Sequence, residues 1–161
     1  MAAEAEVLDE LHSLRARLPR LTGALAASVD GLVLAQDIRG VQPEGLAALT
    51  ATAQGVALRL TDATGQGDFR ELLVRGAHGY VATYAAGSSA VLTLVAEGRV
   101  NVGRLHLEGR RSGNRIGELL RVAAQQPDRT PGRPPATPTP TVTGGPLPVR
   151  TPSPRADRTR E

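Results

Sequence analysis

The chain has no cysteine, lysine or tryptophan, and its 161 residues include only one phenylalanine, two tyrosines and one methionine. Without cysteine there is no disulfide, thiolate nucleophile or Cys-ligated metal. Without lysine there is no Walker lysine for a nucleotide phosphate and no side-chain amine for a Schiff base. The aromatics are Phe69, Tyr80 and Tyr84, all in strand-like stretches, so a stacking platform for nucleic acid is missing. No apolar run reaches about 18 residues, so no spanning helix is encoded. The first residues, MAAEAEVLDEL, are acidic where a secretory signal would be basic. A soluble, cytoplasmic protein without membrane insertion is expected.

What is present is unevenly distributed. Ten of the 12 prolines lie from Pro127 onward. Residues 1–126 hold 13 Arg against 13 Asp plus Glu, whereas 127–161 hold 6 Arg against 3. The basic character therefore belongs to the last segment. Two parts are expected: a folded domain over 1–126, and a disordered Pro/Thr/Arg-rich tail over 127–161. The tail has too few large apolar residues to offset the entropy of ordering.

Periodicity places the elements. Val7, Leu8, Leu11, Leu14 and Leu18 recur at three- and four-residue spacing, which predicts a helix over Glu4–Arg17, stopped by Pro19. Two apolar runs flank Val29-Asp30-Gly31, a hairpin signal over Thr22–Asp37 with both faces covered. Pro43 opens a second helix running to about Ala63. Three strands follow, over Phe69–Arg75, Tyr80–Ala85 and Ala90–Ala96, joined by turns at Gly76–Gly79 and Gly87–Ser89. Asn101 caps a third helix whose polar middle, GRRSGNR, carries Gly109 and Gly113 and is expected to bend or fray. The order α-β-β-α-β-β-β-α predicts an α+β fold, a five-stranded antiparallel sheet with helices on both faces.

The second helix is unusual. Leu46, Leu49, Ala53, Val56 and Leu60 step by three and four, and Ala47, Ala48, Ala51 and Ala57 broaden the stripe. A helix this apolar is buried on more than one side. The sheet supplies one cover, and a partner is needed for the other.

Residues that carry chemistry are sparse. His12, His78 and His106 are far apart, with no metal-ligand spacing. Gly65-Gln66-Gly67 follows a helix and precedes a strand, the reverse of a dinucleotide fingerprint. Ser88-Ser89 and Asp30 suit their turns, and neither they nor Asp37 form a catalytic constellation. No catalytic residue, cofactor or metal site is assigned. Arg110, Arg111 and Arg115 form a basic cluster that reads as a solvated helix face or as a cationic patch for an acidic protein surface.

LTGALAASVDGLVLA (Leu21–Ala35), PEGLAALTATAQGVA (Pro43–Ala57), FRELLVRGAHGYVATY (Phe69–Tyr84) and AVLTLVAEGRVNVGRL (Ala90–Leu105) together resemble the roadblock/dynein light chain family in its bacterial form. The S-x-D-G-L hairpin at Ser28–Leu32 is part of that likeness, which covers about residues 5–124. The resemblance implies a longin/profilin-like fold. It also implies homodimers in which second helices pack together and third strands pair edge to edge. On this chain the implied interface is Leu46, Leu49, Ala53, Val56 and Leu60 with Phe69, Leu72 and Leu73 of the Phe69–Arg75 strand. The family implies no shared catalytic residue, and it implies a platform for Ras-like small GTPases or an adaptor in signalling complexes. The expectation is a non-enzymatic homodimeric scaffold binding a small GTPase or other signalling protein. The alternatives are a nucleic-acid-associated protein acting through the Arg-rich tail, which the lack of aromatic platforms disfavours, and a small-molecule-sensing domain.

Overall fold

The structure is a computed structural model and describes residues 2–126. The expected disordered tail, 127–161, lies outside the described residues. The element order is α1 (Ala2–Arg17), β1 (Leu21–Ser28), β2 (Val33–Ile38), α2 (Pro43–Ala63), β3 (Glu71–Arg75), β4 (Gly79–Ala86), β5 (Ala90–Glu97) and α3 (Val102–Gln125). The five strands form one sheet in the order β2-β1-β5-β4-β3, every pairing antiparallel. The expected α+β architecture is the observed one.

The strand sequences explain the order. β1 and β5 are apolar at nearly every position and occupy the middle, where both faces are covered. β2, with exposed Gln36, is an edge and is less covered than the sequence predicts. Leu32, expected inside that strand, stays in the turn and is exposed. The turn closes through Ser28 N–H to Leu32 O (2.8 Å) and Gly31 N–H to Ser28 O (2.9 Å). Gly31 sits at φ +85°, which a residue with a Cβ adopts only under strain.

Helices cover both faces, unequally. On one face α1 contributes Val7, Leu11 and Leu14, and α3 contributes Leu105 and Ile116. They meet Ala24, Ala26, Tyr84, Leu92 and Leu94 of the sheet in the main core. On the other face the core is thin: Leu25, Ala27 and Val91 against Ala47 of α2, with Val33 and Leu46 at its margin.

The middle of α3 departs from expectation. The helix is continuous, and Gly109 and Gly113 are buried instead of fraying. A Cβ on Gly109 would stand 2.4 Å from the Tyr84 ring, one on Gly113 2.8 Å from Ala85 O, and one on Gly117 2.5 Å from Gly87 N. Glycine every fourth residue lets α3 lie directly on β4 and the β4–β5 turn. On the neighbouring side of the helix Glu108 and Ser112 turn to α1. Arg17 Nε donates to Glu108 Oε2 (2.7 Å), Arg17 Nη2 donates to Glu10 Oε1 (2.9 Å), and Ser112 Oγ donates to Glu10 Oε1 (2.6 Å). These charge-assisted bonds satisfy groups that burial would otherwise penalise.

Candidate functional site

The surface that sequence reasoning singled out is built by α2 and β3. α2 starts at Pro43, where a missing N–H costs nothing, with Glu44 in its positive first turn. Its inner face is Ala47, Thr50, Gln54 and Ala57, spaced by three and four and buried on the sheet. These side chains are small or polar. Thr93 Oγ1 donates to Thr50 Oγ1 at 3.1 Å across the contact.

The large apolar residues of α2 point elsewhere. Leu49 is 69%, Leu60 61% and Val56 56% exposed. At about 100° per residue they form a stripe roughly 110° round the helix from its buried face. Leu46 and Ala53, the other two expected seam residues, are half-buried between stripe and sheet. Leu58 is a further exposed leucine, on the opposite flank of α2.

β3 is the edge strand beyond β4. It begins at Glu71, two residues later than expected, and Phe69 is only 6% exposed, buried within its own protomer. Phe69 is therefore placed beneath the surface expected to present it. Leu73 pairs with Ala82 and packs on the main core, while Leu72 pairs with Thr83 on the α2 side. Val74, on the same side as Leu72, is half exposed. Val74, Val81 and Val95 floor an open recess of about 440 Å³ that is walled by Thr22, the Gly76–Gly79 turn and Glu97.

The start of β3 is pinned to α3. Arg110 grips Glu71 with two donors, Nε to Oε2 at 2.6 Å, and His106 Nδ1 lies 3.5 Å from the same carboxylate. The Arg110 hydrogen bonds are the main reason that the Glu71 carboxyl lies below its ordinary range. Tyr84 Oη lies 3.1 Å from His106 Nδ1, and burial, reinforced by the Glu71 charge, pushes the phenol well above its usual value. Glu71 and Arg110 therefore fix the register of the edge strand against α3. Sequence spacing gave no sign of a pair 39 residues apart.

The remaining chemistry-bearing residues stay dispersed. His12 lies on the exposed side of α1 and His78 in the β3–β4 turn. Ser88 and Ser89 are exposed in the β4–β5 turn, and Asp30 is exposed in the β1–β2 turn. Asp37 is bound to Arg15 at 2.7 Å. Gly65 and Gly67 take positive φ in the loop after α2. Among the described residues no group of three or more His, Cys, Asp or Glu could hold a metal ion. Among them, too, no helix is long and apolar enough to cross a membrane.

Comparison with known proteins places this geometry. The model of the Roadblock/LC7 domain matches residues 7–96. A structure of MglB with tetrameric arrangement superposes with a TM-score of 0.72 at 22% identity, covering 76% of this chain and 93% of that one. Gliding protein MglB from Thermus thermophilus gives 0.71 at 21% identity, with the same coverage. A Roadblock/LC7 domain from Streptomyces avermitilis gives 0.66 at 23%, covering 71% of this chain and 97% of that one. At these identities the structures speak to the fold. Among curated proteins, the uncharacterized protein MJ0310 of Methanocaldococcus jannaschii is 28% identical over 97 residues, 60% of this chain and 84% of that one. The matched segment exceeds half of the chain and runs from α1 to the end of β5: the protein belongs to the Roadblock/LC7 domain family.

Proposed function

We propose that the protein is a homodimeric, non-catalytic scaffold that binds and regulates a Ras-like small GTPase in a cytoplasmic signalling system. The observation that carries the dimer is the exposed stripe Leu49, Val56 and Leu60 of α2, together with the outer edge of β3. Fully burying a side chain of this size contributes about 1.5–3 kcal/mol. A two-fold axis offers the same stripe from both copies, a self-complementary interface. Pairing of β3 with its twin would satisfy the edge amides and carbonyls at the same time. The MglB structure with tetrameric arrangement, an assembly of a protein of the same fold, supports self-association here.

The GTPase reading rests on family membership and on the likeness to MglB. Calorimetric titration of the dimer with a Ras-like GTPase from the same cell, loaded with a GTP analogue or with GDP, tests it. The expected result is a complex that prefers one nucleotide state. An intact dimer that binds neither state overturns the GTPase assignment.

The recess floored by Val74, Val81 and Val95 favours a second reading, small-molecule sensing. A metabolite panel that raises the melting temperature of the parent, and fails to do so for Val81→Trp, would support it.

A further inference from the structure

β3 is an edge strand, and its backbone shows which groups a further strand would meet. Its hydrogen bonds to β4 alternate: Gly76 N–H donates to Gly79 O at 2.8 Å, and Ala85 N–H donates to Arg70 O at 3.0 Å. By that alternation Leu72 and Val74 also turn their amides and carbonyls to β4, and Glu71, Leu73 and Arg75 turn theirs outward. Among the described residues no turn or loop backbone bonds to these three.

The two edges of the sheet differ. Along β2 the pairing with β1 breaks register between Ala26 and Ala27, and Gln36 Oε1 accepts from the Ile38 N–H at 3.4 Å. A bulge and a self-capped amide both blunt an edge. β3 pairs with β4 without a shift and contains no proline. A regular, uncapped edge accepts another strand.

The sequence of β3, Glu71-Leu72-Leu73-Val74-Arg75, complements itself when read backwards. In an antiparallel pair with a second copy, hydrogen bonds form only where outward residues face outward residues, so the two-fold axis passes through a residue and not between two. Centred on Leu73, the pairing uses the whole strand. Leu73 faces the partner's Leu73, Leu72 the partner's Val74, and Glu71 the partner's Arg75. Three hydrogen-bonded pairs form in this way, whereas a centre on Leu72 or Val74 leaves two within the strand. Those slipped registers also set Glu71 or Arg75 opposite the partner's Leu73.

Glu71, Leu73 and Arg75 lie on the α1–α3 face, where Leu73 packs on the main core and Arg110 Nε donates to Glu71 Oε2 at 2.6 Å. A carboxylate has about four acceptor positions, so Glu71 can take the partner's Arg75 in addition to its own Arg110. Arg75 is exposed, with its guanidinium 5.7 Å from the centre of the Tyr80 ring. Opposite charges facing each other across strands stabilise a pair, and like charges destabilise it.

We propose that two copies join β3 to β3 in the register centred on Leu73, and that the contact of Glu71 with the partner's Arg75, made twice by the two-fold axis, selects this chain's own copy over a strand carrying like charge at either position. This register rests on the dimer proposed above and adds the residues that set it.

The chain has no cysteine, so introduced thiols report the register without background. Facing residues of a non-hydrogen-bonded pair have Cα atoms about 4.5 Å apart, within disulfide reach, whereas diagonal neighbours lie about 7–8 Å apart. Full-length Leu72→Cys and Val74→Cys are oxidised singly and as an equal mixture after subunit exchange, and covalent dimer is read on a non-reducing gel. The mixture should cross-link, and each variant alone should give about tenfold less. Leu72→Cys alone cross-linking as fully as the mixture marks a centre on Leu72, and Val74→Cys alone a centre on Val74; either result overturns the proposal. Self-association should weaken about tenfold in Arg75→Glu and about threefold in Arg75→Gln, and should return when Arg75→Glu is mixed with Glu71→Arg. An Arg75→Glu chain that associates as tightly as the parent overturns selection by charge. The cross-linking decides the register even if Glu71→Arg, which also loses Arg110, fails to fold. Light scattering on the parent separates the two readings. A dimer that no combination of thiols cross-links overturns the register and leaves the dimer standing, whereas a monomeric parent overturns both.

Discussion

Leu49→Asp separates the stability of the protomer from that of the assembly. Leu49 is 69% exposed in the single chain, so an aspartate there changes protomer stability by about 0.5 kcal/mol or less. In a dimer that covers the stripe the arithmetic differs. Losing the apolar burial of the exposed part costs about 1–2 kcal/mol per copy, hence about 2–4 kcal/mol per dimer. Two carboxylates brought into an interface without partners add several kcal/mol more. The dissociation constant should rise by at least about a thousandfold, since 4 kcal/mol corresponds to roughly that factor. Sedimentation velocity over a dilution series reads the mass, and far-UV circular dichroism reads the fold. The expected result is a folded single chain at concentrations where the parent is a dimer. A variant that keeps the parent's sedimentation coefficient throughout would falsify the assignment of the stripe to the interface. A variant that unfolds would refute the claim that Leu49 has no packing role within the protomer.

Other perturbations follow from the packing and the ion pairs. Gly117→Ala places a Cβ 2.5 Å from Gly87 N and should destabilise by about 1–3 kcal/mol in chemical denaturation, despite the better helix former. Gly55→Ala in α2 meets nothing within 4 Å and should stabilise by about 0.5–1 kcal/mol in the same assay; a matching loss would contradict the exposure assigned to that position. Arg17→Met leaves Glu10 and Glu108 without their shared partner and should cost about 2 kcal/mol, read as a lowered melting temperature. Glu71 has a folded pKa held below its ordinary 4.5, so its pairing contributes fully above that value and is lost as pH falls through the folded pKa. Glu71→Gln should therefore be less stable than the parent at neutral pH, with the gap closing on acidification; a gap that widens on acidification would reverse the sign of the linkage.

Much of the fold was legible because the sequence states it locally. The periodic leucines of α1, the Asp-Gly turn and the two glycine-bearing turns between β3, β4 and β5 each name their structure within a few residues. The excess of apolar residues on α2 was legible as well, and the thin core beneath that helix explains it: Ala47, Thr50, Gln54 and Ala57 meet the sheet, which leaves Leu49, Val56 and Leu60 outside. What local reasoning misread was tertiary. Gly109, Gly113 and Gly117 weaken a helix by propensity, but here they admit the Tyr84 ring and the Gly87 backbone, contacts invisible at short range. The polar middle of α3 was expected to bend or fray, whereas Ser112, and Glu108 just before that stretch, are held by Arg17, about 90 positions earlier. Phe69 reads as the start of a strand by type, yet it is buried and the strand begins at Glu71. The pairing of Arg110 with Glu71 likewise divided a basic cluster that sequence had taken as one unit.

The claim on which the functional account stands is that a second copy covers the α2 stripe and the β3 edge. Light scattering coupled to size-exclusion chromatography on the full chain at micromolar concentration measures this directly. The account predicts a molar mass of at least twice the chain's 16.8 kDa, falling to a single chain with Leu49→Asp. A parent that elutes with the mass of one chain at every concentration contradicts it.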